Sequence, residues 1–265
     1  MDPELSPTPK PRFSFSKNWQ RYVFEFLLIF LAVFLGFLAD NFREEYAERQ
    51  HAVELAKSFY EELKNDSIAV QAKIEGRIKK EKAVVYMASF FRDSVLTTSS
   101  KSLSVNFLYA ITARSPIIFT PRTVVLEQIK SSEALRYFKS EELRKLVGDL
   151  SVAIDYIAAR QEYENAIFYS YMEPIMTAHH DYTFQNKLFE NQNTIFERLA
   201  QYEASPEYIP FHLSQPEKIN RQQMFNSLNY YHTNGLLSTR LIPLKGYVEA
   251  NAALLRAFRK EYGLK

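Results

Sequence analysis

The sequence predicts an all-α protein, in which an N-terminal transmembrane helix continues into a long stalk helix and is followed by an antiparallel helical bundle. Three observations predict it. Six glycines (Gly36, Gly76, Gly148, Gly235, Gly246 and Gly263) are scattered through 265 residues, no two within ten positions of each other. Hairpin-rich folds need glycine-bearing turns, and one Asn-Gly occurs, at Asn234 and Gly235. No proline stands between Pro11 and Pro116, and apolar residues recur every three to four positions over most of the chain, which is the period of a helix face.

The same counts exclude several classes of function. Without clustered glycines there is neither a GxGxxG turn nor a Walker A loop, since both bring backbone close to phosphate. Cysteine is absent, so there are no disulfides, thiolate zinc sites, iron–sulfur ligands or cysteine nucleophile. A net charge of +2 gives no global nucleic-acid footprint. Apolar residues at 46% and charged residues at 24% supply enough material for a sizeable core.

Residues 1–21 hold four of the eleven prolines and read as a flexible tail carrying Lys10, Arg12, Lys17 and Arg21. Residues 26–39 are fourteen uncharged apolar positions, and extended back to Tyr22 the run is interrupted once, by Glu25. At 1.5 Å per residue, residues 22–39 reach about 27 Å, enough to span a bilayer core. Trp19 and Tyr22 stand where an interfacial aromatic belt would anchor it. A cleaved signal peptide would need small residues at both Phe37 and Ala39, and a core helix would not be apolar all round behind a basic tail. Only Arg43 and Arg49 follow the span over residues 40–55. The positive-inside rule therefore predicts a cytoplasmic tail, a span in the inner membrane and a periplasmic remainder.

Past Asp40 the helical spacing continues through Phe42, Tyr46, Val53, Phe59, Leu63, Ile74, Ile78, Val85 and Phe91, predicting a stalk over residues 40–96 that Asn65, Asp66 and Ser67 kink or restart. A loop over residues 97–102 opens the bundle of residues 97–265, which packs with the stalk. A short helix is expected over residues 103–113. Thr120 and Pro121 read as a cap and first turn of a helix reaching Ser131. Ser140, Glu141 and Glu142 open the clearest amphipathic helix, with Leu143, Leu146, Val147, Leu150, Ile154, Ile157, Phe168 and Met172 on one face. Residues 173–215 are less regular. Pro216 opens a last helical region to Tyr262, which Gly235 and Pro243 bend or divide. A bundle of four or five helices beside the stalk follows.

In residues 25–63, Glu25 precedes the apolar run, which closes on Leu38, Ala39, Asp40, Asn41, Phe42, Arg43 and Glu44. This stretch resembles the start of an uncharacterised family of bacterial single-pass membrane proteins, a domain of unknown function, whose members more often carry Trp where this chain has Phe42. Residues 121–150, with Leu126, Ser131, Ser132, Leu135 and the helix from Glu141, are similar to the family's second recognisable stretch. The two cover about a quarter of the chain. The resemblance implies an α-helical extracytoplasmic domain with no assigned activity, and it supplies no catalytic residues to carry over.

Candidate chemistry is sparse. His179, His180 and Asp181 are the one local cluster of metal-ligand types, but adjacent histidines on a helix point about 100° apart. Glu61 and Glu62 beside Lys57 and Lys64, and Arg77, Lys79, Lys80 and Lys82 near Glu75 and Glu81, read as solvated helix faces. Phe168, Tyr169, Tyr171 and Met172 read as core filling, and any outward surplus of aromatics would mark a partner or ligand groove. Glu25 is a carboxylate inside a span, four residues from Arg21 and placed for an interfacial ion pair. Steps of four, three, four and four residues put Glu25, Ile29, Ala32, Gly36 and Asp40 on one helix face, where the small pair Ala32 and Gly36 admits close helix contact.

The sequence therefore predicts a protein without cofactor, metal or catalytic residues whose partners are the lipid bilayer and, through that face, a second copy or a membrane protein; nucleic acid is not expected. The leading expectation is a non-enzymatic interaction, scaffold or accessory protein of a bacterial envelope complex. The alternatives are a periplasmic helical bundle that senses a ligand and relays through a partner, and a hydrolase with an unrecognised acid/base pair.

Overall fold

The computed structural model describes residues 19–114, 117–131, 135, 138, 140–190 and 195–264. Of the expected flexible tail over residues 1–21, residues 1–18 lie outside the described residues, as do Pro116 and Ser132, while residues 19–21 belong instead to the first turn of a helix. The fold is all-α, with no strand among the described residues. Its elements are α1 (Trp19–Asp93), α2 (Lys101–Phe107), α3 (Val124–Ser131), α4 (Glu141–Ile167), α5 (Glu173–His179), α6 (Tyr182–Phe189), α7 (Ile195–Ala204), α8 (Arg221–Tyr230) and α9 (Lys245–Tyr262). Among the described residues, four π-helical segments join them: π1 (Leu108–Thr112), π2 (Phe168–Met172), π3 (Tyr231–Leu237) and π4 (Arg240–Leu244). The chain divides into two compact units, Met1–His51 and Ala52–Lys265.

The described part of the first unit, residues 19–51, is helical throughout and has no buried residue. Its most apolar 18-residue window has a mean hydropathy of 2.5, and none of that window is buried. Among the described residues, α1 is the one helix long and apolar enough to cross a membrane. Phe26, Phe30 and Phe34 stack along one side with centroids 6.3 and 6.2 Å apart. Arg43 pairs with Asp40 at 2.8 Å and Arg49 with Glu45 at 2.7 Å.

In the second unit, residues 52–93 of α1 form a core helix. Its apolar seam (Leu55, Phe59, Leu63, Val70, Val84, Met87) is buried, each such side chain contributing about 1.5–3 kcal/mol. The helix passes Asn65, Asp66 and Ser67 unbroken because two of these polar groups have distant partners. Asp66 Oδ2 accepts from the Arg122 N–H at 2.8 Å and the Tyr247 hydroxyl at 3.1 Å, and Ser67 Oγ donates to Asn251 Oδ1 at 3.1 Å.

Ser140 caps α4, its Oγ accepting from the Leu143 N–H at 3.2 Å, and the expected stripe is buried or half-buried along its length. The helix expected from Thr120 starts instead at Val124. The preceding backbone is pinned by side chains: Phe119 exchanges two 2.8 Å bonds with Gln161, and Asp66 holds Arg122. The irregular stretch expected over residues 173–215 contains α5, α6 and α7. From α8 through α9 the chain is helical without division, since Gly235 and Pro243 fall inside π3 and π4. Pro243 has no N–H to give the helical ladder, and the widened turn accommodates it. Gly263, at φ 64°, closes α9 with its N–H on the Arg259 carbonyl at 3.0 Å.

Long-range contacts set the directions. Arg160 near the end of α4 bonds Asn234 and Ser238, whereas Phe138, just before α4, packs edge-on against Phe258 at 5.8 Å. Tyr60 meets Arg259 while Glu81 meets Arg240. The C-terminal rod thus runs antiparallel to both α1 and α4. Two apolar clusters result. One gathers Leu55 to Val70 of α1 with α3, α4 and α9; the other gathers Ala83 to Phe91 with the shorter helices and π1, π2 and π3.

Candidate functional site

Glu25, Ile29, Ala32, Gly36 and Asp40 lie along one face of α1, and all are exposed. Glu25 Oε1 takes the Arg21 Nε at 3.0 Å, the ion pair that their spacing suggests. A Cβ built on Gly36 meets nothing within 4 Å, so the face is open to a neighbour.

His179, His180 and Asp181 do not form a shared ligand set. Helix α5 ends at His179, and His180 is extended (φ −76°, ψ 140°), so each side chain takes its own direction. His179 Nδ1 lies 2.9 Å from the Ser214 carbonyl, and His180 Nε2 2.6 Å from Gln185 Oε1. Asp181 caps α6 through the Phe184 N–H and accepts the His212 N–H through its other oxygen. All three fasten the segment around residues 211–214. Burial pushes the His180 imidazole below its ordinary pKa, favouring the neutral ring that stacks on Phe107 at 5.2 Å. Among the described residues no three His, Asp or Glu side chains are grouped to hold a metal ion.

The basic run of α1 corrects the expectation of a solvated face. Lys79 and Lys82 point outward, Lys79 reaching Glu203 at 2.6 Å. Arg77, Lys80 and Glu81 are buried, because they continue the seam of Val70 and Ile74 toward Val84 at helical spacing. Together with their partners they form a charged belt between the two apolar clusters. Arg77 Nη1 donates to Glu164 Oε2 at 2.8 Å, while Arg77 Nε and Nη2 are buried without a hydrogen-bond partner among the described residues. Arg240 holds Glu81 through two bonds of 2.8 Å. Lys80 Nζ donates to the Ala113 carbonyl at 2.6 Å, at the end of π1, with the Phe168 and Tyr231 ring centroids 5.7 and 5.6 Å away. Arg114 stacks on Phe168 at 4.5 Å.

Burial drives the Lys80 amine down to a pKa of about 7; the Glu164 carboxylate opposes the shift, and Arg114 and Arg77 reinforce it. Burial likewise raises the Tyr231 phenol well above its ordinary value, so it stays neutral. Gly235 is required here: a Cβ at that position would stand 2.9 Å from Tyr231 Cδ2. Glu61 behaves as a solvated partner of Lys64 at 3.7 Å, but Glu62 turns inward to accept the Val125 N–H, and burial raises its pKa.

Of the aromatic run, Phe168 and Met172 are buried, whereas Tyr169 and Tyr171 face solvent. Tyr171 belongs to an open groove of about 510 Å³ between π2 and α8. Asn220, Gln222, Gln223, Asn226 and Ser227 form its amide-rich wall on and before α8, and Tyr230 completes the lining. Tyr171 and Tyr230 meet edge to face at 5.3 Å, and the Tyr230 hydroxyl lies 3.1 Å from that of Tyr163. Asn220 caps α8 by accepting the Gln223 N–H, which orients that wall. The outward tyrosines signal this groove in the sequence; the amides of its wall carry no local signal.

No protein-family model, curated protein or solved structure matches this chain.

Proposed function

We propose that this chain is a membrane-anchored, extracytoplasmic helical interaction protein, a scaffold or accessory subunit of a bacterial envelope complex. The observation that carries the reading is the unburied apolar window of α1 with its mean hydropathy of 2.5. Water does not tolerate an apolar surface of that length uncovered, and lipid or partner helices cover it. The excess of Lys and Arg before residue 22 over that in residues 40–55 supports an N-terminus in the cytoplasm and a second unit in the periplasm. The resemblance of residues 25–63 to a single-pass membrane family belongs to the same proposal. So does association through Glu25, Ile29, Ala32, Gly36 and Asp40, with another copy or a membrane partner.

The groove of about 510 Å³ favours a second reading, a ligand-sensing bundle that relays through a partner, since pockets of this size suit small ligands.

Alkaline phosphatase fused after Lys265 tests the placement. The fusion is expected to be active in cells and to stay with membranes through alkaline extraction. An inactive fusion, paired with a fluorescent fusion that lights up in the cytoplasm, would overturn the orientation; release by alkali would overturn the anchor.

A further inference from the structure

The groove between π2 and α8 has a chemistry that anchoring and scaffolding leave unused. We propose that it binds a neutral oligosaccharide. Its lining contains no Asp, Glu, Lys or Arg, so nothing there holds a phosphate, a carboxylate or an ammonium group. The nearby cations are engaged elsewhere: Arg221 donates to the carbonyls of Phe91 and Ser94, and Arg160 to Asn234 and Ser238. What remains on the wall is amides and a hydroxyl, groups that both donate and accept. Sugar hydroxyls also do both, and a planar amide matches a vicinal hydroxyl pair with one donor and one acceptor. Gln222 Nε2 bonds Asn226 Oδ1 at 2.9 Å, which holds two of these amides as one unit.

The tyrosines of the groove supply flat apolar faces for sugar C–H groups. Tyr171 and Tyr230 in the lining are 42 and 38% exposed, and Tyr163, 44% exposed, meets Tyr230 through its hydroxyl. The π2 segment contributes to their alignment. Eight α-helical residues would leave Tyr171 about 80° around the axis from Tyr163. A π turn advances each residue by about 80° in place of 100°, which returns Tyr171 to within about 10° of Tyr163. The groove, of about 510 Å³, is open to solvent, so a sugar chain longer than the groove can extend beyond it. The lining has no carboxylate pair, which glycoside hydrolysis ordinarily requires, so the site holds a glycan and does not cut it. A polyproline segment is the competing occupant of a tyrosine-lined groove, but its carbonyls only accept and would leave the amide oxygens of the wall unmet.

The inference does not depend on residues 22–39 crossing a bilayer, and neither does its test. The full chain is purified in an amine-oxide detergent, because sugar-headed detergents would compete. It is titrated calorimetrically with cellotetraose, maltotetraose, chitotetraose and, separately, decaproline. At least one tetrasaccharide is expected to bind saturably, with affinity reduced about tenfold or more by Asn226→Ala and by Tyr171→Ala, while the thermal melt at 222 nm is unchanged. Should Tyr171→Ala disturb folding, Gln222→Ala and Asn226→Ala, both on the exposed side of α8, carry the test. Absence of binding by all three sugars at millimolar concentration would overturn the proposal. So would sugar binding that survives the substitutions, or binding of decaproline alone.

Discussion

Replacing Lys80 with methionine, a side chain of similar length, removes the one buried amine of the charged belt. Lys80 Nζ is enclosed by the Ala113 carbonyl and the Phe168 and Tyr231 rings, with Glu164, Arg77 and Arg114 as the charges that act on it. Burial lowers its pKa from 10.5 to about 7. Between those values the unfolded chain binds a proton that the folded chain refuses. Folded stability therefore rises with pH through that window, at up to about 1.4 kcal/mol per pH unit, and the full gap corresponds to about 5 kcal/mol. Below pH 7 both states hold the proton and the cost of the buried charge is fully present. The methionine variant lacks this dependence and carries a constant penalty of about 1–3 kcal/mol for the Ala113 carbonyl left unpaired. Urea denaturation of the full-length parent and variant in detergent, followed at 222 nm from pH 6 to 9, should show the parent gaining on the variant by about 2–3 kcal/mol between pH 7 and 9. Parallel stability curves would refute the reasoning.

Three further outcomes are expected. Asp66→Leu should destabilise by about 2–4 kcal/mol in the same denaturation assay, because Arg122 N–H and Tyr247 hydroxyl lose their shared acceptor. Asp66→Asn should stay within about 1 kcal/mol of the parent, since a single oxygen serves both donors and the amide avoids the desolvation that raises the Asp66 pKa. Gly235→Ala should cost about 1–3 kcal/mol through its clash with Tyr231, whereas Gly148→Ala, with nothing within 4 Å of the new Cβ in the interior of α4, should stabilise by up to about 1 kcal/mol; thermal melts distinguish the pair. Gly36→Ile should weaken association in a membrane helix-pairing assay while Phe34→Ile does not, and equal behaviour of the two would remove the small-residue face from consideration.

The sequence discloses most of what depends on neighbouring residues. The cap at Ser140, the stripe of α4 and the apolar window of α1 are local patterns, and each stands as an element of the structure. What stayed hidden depends on distant partners. Residues 120–123 look like the start of a helix until Gln161, Asp66 and Glu62 claim the N–H groups around them. The run around Arg77, Lys80 and Glu81 looks solvated because its partners Glu164 and Arg240 are 87 and 159 residues away in the chain. Its spacing from Val70 and Val84 was the available sign that it faces inward. The π segments arise where packing inserts a residue into a helix; Gly235 and Pro243 signal an irregularity in two of them, whereas nothing in the composition of Leu108–Thr112 marks it beforehand.

The charged belt also governs sliding. Two apolar seams such as those of α1 and α4 can exchange one set of methyl contacts for another at modest cost, so a long helix can settle at several axial offsets. Arg77 against Glu164 and Glu81 against Arg240 permit one offset only. A shift by a single turn, about 5.4 Å, would push these charges among the aromatic and aliphatic side chains on either side, and a buried charge stripped of its partner costs about 3–5 kcal/mol. The belt therefore acts as a key in a slot: a push or pull along the inner stretch of α1 is delivered to α4 and the C-terminal rod without slippage.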